Sequence, residues 1–204
     1  MEESGMKNDE ITEMSKSAKF FTCWGPTDAL SAAYHDHRWC RPLHNDQELF
    51  AMLILEGQQA GLSWSLILRR EKDLRQAYDN FNPVLVAAYT DARLEELHNN
   101  SAIIRNKLKI RSARNNARHF LEIQEKFGSF DSYIWSFTQG EVVDHHLGET
   151  DPMPTENSLS QQISRDLKKR GFTFVGPIII YSYLQGIGLI NDHRENCPSR
   201  LSQI

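Results

Sequence analysis

Leu55-Glu56-Gly57-Gln58-Gln59-Ala60-Gly61-Leu62-Ser63-Trp64 is the stretch on which the reading of this chain turns. Upstream of it, Leu49, Phe50, Leu53 and Ile54 recur at the spacing of a helix that buries a face. That helix then meets Glu56, a carboxylate that is costly to bury. Two glycines follow, weakening the helix and letting a ligand or another backbone come close. Ser63 can cap a new helix carrying Trp64, Leu66, Ile67 and Leu68. Two readings stand at this junction. One is a bend between core helices with Glu56 at the surface. The other is a pocket in which a buried carboxylate and an aromatic wall receive a flat, hydrogen-bonding or cationic ligand.

Outward from the junction the pattern stays helical. Thr27 or Asp28 caps a short helix reaching 35, and Asn45 or Asp46 caps the helix through 59; the Ser63 helix runs to 78. Asn82-Pro83 opens a short helix through 86, and Thr90 caps one through 97. A long helix is predicted over 103 to about 126 and a short one over 131–137, with a Gly/Pro-marked loop over 138–157. Ser158 caps a helix through 170. Gly171 ends it, Phe172 to Val175 form a turn, and Gly176-Pro177 opens a last apolar helix to about 189. The expectation is an all-α fold: a polar, disordered tail over 1–19, then one helical unit of two lobes over 20–204, with a helical hairpin at about 160–189.

The net charge of −4 argues on its face against a polyanionic partner, but distribution matters more than the sum. Lys107, Arg111, Arg114 and Arg118 share a helical stripe, with Arg105 and Lys109 close by; Lys168 to Arg170 form a second basic cluster, and Arg69, Arg70, Lys72 and Arg75 a third. These permit a DNA-facing side and equally suit solvated helix faces. Three widely spaced cysteines argue for a reducing compartment rather than a disulfide scaffold. Nothing approaches the apolar length of a membrane span, and the acidic start is no secretory signal, so a soluble cytoplasmic protein is expected.

Two further patterns carry chemistry. The glycines around 171–176 leave backbone amides bare, and the helix after Gly176 points its positive end outward; together they suit a phosphate. A plain corner between two helices is the alternative. Near the C-terminus His193 and Cys197 lie four apart, while Cys23 and His35 lie at the start of the folded part. Two cysteines and two histidines satisfy a closed tetrahedral zinc site, although neither half is a tight knuckle.

Taken in order, the motifs resemble the 3-methyladenine DNA glycosylase I family. They are Trp24, Asp28-Ala29-Leu30, Tyr34-His35-Asp36-His37-Arg38-Trp39, the run over 55–64, Leu167-Lys168-Lys169-Arg170-Gly171-Phe172-Thr173-Phe174-Val175-Gly176-Pro177, Tyr181-Ser182, and Asn191-Asp192-His193 before Cys197. The resemblance covers about 23 to 197. It implies a helix-hairpin-helix DNA glycosylase, acting as a monomer on double-stranded DNA with alkylated bases, and expected to be monofunctional, without strand cleavage, for want of a Schiff-base lysine. The expected reaction is release of 3-methyladenine by hydrolysis of its glycosidic bond, leaving an abasic site.

Under that resemblance Glu56 is the catalytic-site carboxylate, with recognition of the exocyclic amine side ranked above activation of water. Tyr34 and Trp64 wall the flipped base, with Trp24 and Trp39 behind them. Gln59, Gly61 and Leu62 form a turn that enters the duplex, Leu62 as the wedge, and Lys168, Gly171 and Gly176 hold the backbone. Structural zinc sits on Cys23, His35, His193 and Cys197. The family's first cysteine usually stands two before the tryptophan, whereas Cys23 adjoins Trp24, so His37 and His44 stay open as ligands. Many glycosylases with this hairpin carry an aspartate beyond it. Here no carboxylate follows Pro177 until Asp192, which is expected to orient His193. His145 and His146 read as solvated loop residues rather than as a metallohydrolase pair with Asp144. The alternative function is a zinc-stapled module that binds lesions without catalysis.

Overall fold

The computed structural model describes residues 20–200; the tail expected over 1–19 lies outside the described residues. The helices are α1 (Ala29–His37), α2 (Asp46–Gln59), α3 (Trp64–Ala77), α4 (Pro83–Ala87), α5 (Asp91–Asn99), α6 (Lys107–Phe127), α7 (Phe130–Trp135), α8 (Ser158–Lys169) and α9 (Pro177–Gly186). Side-chain caps start most of them. Asp28, Asn45, Ser63, Asn82 and Thr90 each accept a bond from an amide of the first turn, and the start of every helix from α1 to α5 was legible from them.

Several helix boundaries and two strand pairings differ from expectation. The long helix begins at Lys107, not 103, because Asn106 accepts from the Leu108 and Lys109 amides. Asn157 rather than Ser158 caps α8, in a reciprocal pair with Ser160. The last helix stops at Gly186, and Ile190–Asn191 (β4) instead pairs in parallel with Val143–Asp144 (β3) out of the presumed loop. An antiparallel hairpin joins Phe20–Thr22 (β1) to Gly25–Thr27 (β2). The fold is mostly helical rather than strictly all-α.

Helix α2 is the axis of the molecule. Every residue from Leu49 to Gln58 is buried, since α3, α6, α7 and α9 pack round it. A helix enclosed on all sides carries whatever polar group it holds into the interior, and that is how Glu56 comes to be buried. Helix α6 braces the turn between α8 and α9. Asn116 accepts from the Thr173 amide and donates to the Thr173 carbonyl, both at 2.9 Å. Asn115 donates to Gly171 O at 2.8 Å. Gly171 has φ +97°, and a Cβ there would lie 2.5 Å from His119 Nε2.

Candidate active site

A cleft of about 320 Å³ opens where α1, α2, α3 and α9 converge, lined by Trp24, Tyr34, Trp39, Glu56, Gln59 and Trp64 among others. All four aromatic residues expected around a base are therefore brought together. The Tyr34 and Trp64 rings are 5.2 Å apart and tilted by 57°, and Trp24 meets Trp39 edge-on at 4.6 Å. Tyr34 and Trp39 are buried, while Trp24 is 40% exposed at the mouth.

Glu56 is 3% exposed, so the surface reading of this residue does not hold. Among the described residues its Oε2 has no hydrogen-bond partner, and neither does the buried indole Nε1 of Trp64. Burial alone pushes the Glu56 carboxyl up to about 8. A buried acceptor and a buried donor, both unsatisfied at one cleft, are what a polar planar ligand would complete.

The next turn leads away from this carboxylate. The Leu62 amide donates to Gln59 O at 2.6 Å, Gly61 takes φ +75°, and the Leu62 side chain is 38% exposed at the tip. Lys109 anchors the turn from below, giving its ammonium to Gln58 O and Ala60 O at 2.7 Å each. It satisfies the carbonyl end of α2 and is itself buried, which draws its pKa down. In sequence Lys109 lies close by the basic stripe, yet it is buried. Its spacing with Ala113 and Asn116 marks the inner face of α6, a signal that was present in the sequence.

Most of the basic stripes serve the fold. Arg114 pairs with Asp91, Arg118 donates to Ala87 O, Arg69 pairs with Asp28, Arg70 holds the Ser101 and Ala102 carbonyls, and Arg75 pairs with Glu48 and Glu71. Lys168 and Lys169 stay exposed at the end of α8, beside Gly171 and a few residues before Gly176.

Cys23, His35, His193 and Cys197 converge with their ligand atoms within 4.8 Å of one another. Cys23 Sγ lies 3.6 Å from His193 Nδ1, and Cys197 Sγ lies 3.4 Å from His193 Nδ1 and 3.8 Å from His35 Nε2. The shifted cysteine is absorbed by the β1–β2 hairpin, whose two turn residues are Cys23 and Trp24. The turn sends the thiol into the cluster and the indole toward the cleft. His37 and His44 are not part of the cluster. The other ring nitrogens are engaged: His35 Nδ1 with Asp36 Oδ1 at 2.7 Å, and His193 Nε2 with Trp39 O at 3.3 Å. Trp39 packs on both histidine rings, so the cluster backs the aromatic wall.

Two expectations are corrected. Asp192 does not hold His193; its carboxylate meets His145, Tyr181 and Gln185. His145 is accordingly a half-buried partner of Asp192 rather than a solvated loop residue, whereas His146 is exposed. Sequence reasoning also gave no role to Met153, Pro154, Thr155, Ile178, Tyr181, Ser182 and Gln185, which complete the cleft. Tyr181-Ser182 stood among the motifs. Met153 to Thr155 sit in an aperiodic stretch where no local signal points inward.

Against known proteins, residues 24–200 match the methyladenine glycosylase family model. The chain is 40% identical over 174 residues to DNA-3-methyladenine glycosylase 1 of Escherichia coli K12, covering 85% of this chain and 93% of that one. It superposes on 3-methyladenine DNA glycosylase I from Staphylococcus aureus, solved for the basis of its 3-methyladenine recognition, with a TM-score of 0.84 at 35% identity, covering 87% of this chain and 95% of that one. A solved tyrosine-to-phenylalanine variant of 3-methyladenine DNA glycosylase I in complex with 3-methyladenine matches with a TM-score of 0.84 at 34% identity, covering 87% and 96%.

Proposed function

This chain belongs to the methyladenine glycosylase family, and from that premise we infer that it excises 3-methyladenine from alkylated DNA in base-excision repair. The observation that carries the reading is Glu56: a carboxyl buried in a ring-walled cleft, its Oε2 without a donor among the described residues.

The chemistry follows from the lesion's charge. Methylation at N3 leaves the attached purine cationic. When the bond from N9 to C1′ breaks, its electron pair stays on N9 and the base departs neutral. Water then adds to the electron-poor C1′ and loses a proton, leaving the abasic sugar. Little chemical assistance is required, so recognition dominates. The base must first leave the stack, and Leu62 on its Gly61 turn is placed to fill the gap. Tyr34 and Trp64 grip the flipped ring, with Trp24 and Trp39 extending the wall, and attraction between ring faces and a cation favours the lesion over adenine. Glu56 accepts from the exocyclic amine. In the free pocket its ionised form is disfavoured by burial; an entering cation offsets that cost, whereas neutral adenine offers no offset. Once ionised, Glu56 also stabilises positive charge developing on the sugar.

The α8–α9 turn suits the role of a helix-hairpin-helix element, with Lys168 and the amides near Gly171 and Gly176 holding a backbone phosphate. Cys23, His35, Cys197 and His193 suit zinc. With bonds of about 2.3 Å to sulfur and 2.0–2.1 Å to nitrogen, tetrahedral donors stand roughly 3.3–3.8 Å apart, which needs only a small contraction of the cluster. The acceptors on the far ring nitrogens leave His35 Nε2 and His193 Nδ1 facing the sulfurs. A metal held there would tie the two segments together. No helix among the described residues is long and apolar enough to cross a membrane, and we place the enzyme, as a monomer, in the bacterial cytoplasm.

The test is release of free 3-methyladenine from methylated duplex DNA by the wild type and by Glu56→Gln. Release by the wild type and loss in the variant supports the enzyme. Tight binding to lesion DNA with no base released would leave a binding module instead.

A further inference from the structure

Asp192 stands behind the cleft without lining it. Its carboxylate is fully buried. Oδ2 accepts from the Tyr181 hydroxyl at 2.6 Å and from Gln185 Nε2 at 2.7 Å, and Oδ1 accepts from His145 Nδ1 at 2.6 Å. Tyr181 and Gln185 both line the cleft. The Gln185 amide also reaches Met153 Sδ at 3.8 Å, and Met153 lines the same cleft. His145 lies parallel to the Tyr181 ring, with an interplanar angle of 3° at 6.3 Å. One concealed carboxylate thus fastens a tyrosine, a glutamine and the loop that closes the pocket.

Counting donors gives this arrangement a consequence. A phenol has a single proton to donate, and Tyr181 gives it to Asp192. Gln185 directs its amide protons to Asp192 and Met153. These two side chains therefore present the cleft with acceptors and a ring face rather than donors. A cationic purine gains from such a wall. Neutral adenine, whose ring nitrogens seek donors, finds none on Tyr181 or Gln185, and selectivity at this wall arises from that penalty. A hydrogen bond to an anion also shifts electron density onto the phenol, which strengthens its attraction for a cation.

We propose that Asp192, braced by His145, is a positioning residue that fixes Tyr181 and Gln185 and occupies their donor protons, so that this wall selects positively charged bases. The inference rests on the glycosylase reading above. It is tested with the full chain by tryptophan-fluorescence titration of two probes: the 3,9-dimethyladeninium cation and neutral 9-methyladenine. Single-turnover excision of 3-methyladenine from duplex DNA is measured beside them. The proteins are wild type, Tyr181→Phe, Asp192→Asn and their double variant.

The wild type is expected to prefer the cation at least about tenfold, and each single variant to narrow that preference about fivefold. The double variant should narrow it no further, because both changes remove one shared interaction. Excision should slow in parallel while affinity for undamaged duplex stays level. A preference unchanged in the single variants, or losses that multiply in the double, would overturn the proposal. If Asp192→Asn does not fold, His145→Gln combined with Tyr181→Phe decides by the same cycle. A wild type that releases no 3-methyladenine sinks the enzyme reading itself; an active wild type with unaltered preferences in the variants removes only this inference.

Discussion

Glu56 holds its proton to about pH 8 because burial disfavours the charged form. An acid whose folded value exceeds its ordinary 4.5 binds more protons folded than unfolded between those limits, so its effect on stability is unfavourable as pH rises from 4.5 to 8. Glu56→Gln removes that dependence. The variant should melt like the wild type below about pH 4.5 and several degrees higher at pH 8–9. Identical curves across the range would mean that the carboxylate is solvated. Excision by the same variant should fall by about 10²–10³, as when an electrostatic stabiliser is deleted from an active site. A carboxylate inside an apolar helical run was visible in the sequence. Its lack of a partner was not, because that depends on α9 and on a loop almost a hundred residues downstream. Asp192 shows the same limit: adjacency to His193 pointed to the wrong neighbour, since the backbone turns the two side chains toward different groups.

At the scale of single elements, the Gln59–Leu62 turn and the α8–α9 turn are separable devices. Leu62→Ala should lose excision from duplex DNA while retaining binding of free 3-methyladenine; equal loss of both would exclude a wedge. Gly171→Ala forces a left-handed φ on a residue with a Cβ and presses that carbon onto His119. Its cost should be about 1–3 kcal/mol in urea melts, together with weaker binding to undamaged duplex. Lys109→Met strips two charge-assisted bonds from the end of α2 and should destabilise by about 2–4 kcal/mol. Caps and punctuating glycines made these elements readable, since they act over three or four residues. The basic stripes were less readable: Arg114 and Arg118 meet α4 and α5, and a charge pattern along one helix does not show which neighbour will cover it.

For the whole molecule, the four cluster residues could be named from the sequence, and the displaced Cys23 still arrives because a two-residue hairpin turn re-aims it. Purified protein should contain one zinc per chain by elemental analysis. Cys197→Ala or chelation should lower the melting temperature by about 10 °C or more while activity survives in the folded fraction at low temperature. Activity lost in parallel with no change in melting would give the metal a chemical role. The pairing of β3 with β4, and with it the loop wall of the cleft, stayed hidden because two-residue strands have no periodicity to detect. Cys23 and His193 are 170 residues apart in sequence and meet behind Trp39. Closing so large a loop brings little added entropic cost for its length, but it imposes an order of events. While the ribosome is still making the chain, Trp24 and Trp39 have no histidine from the far segment to lean on. The backing that His193 gives to the Trp39 face of the cleft is thus in place only after synthesis has passed the second half of the cluster.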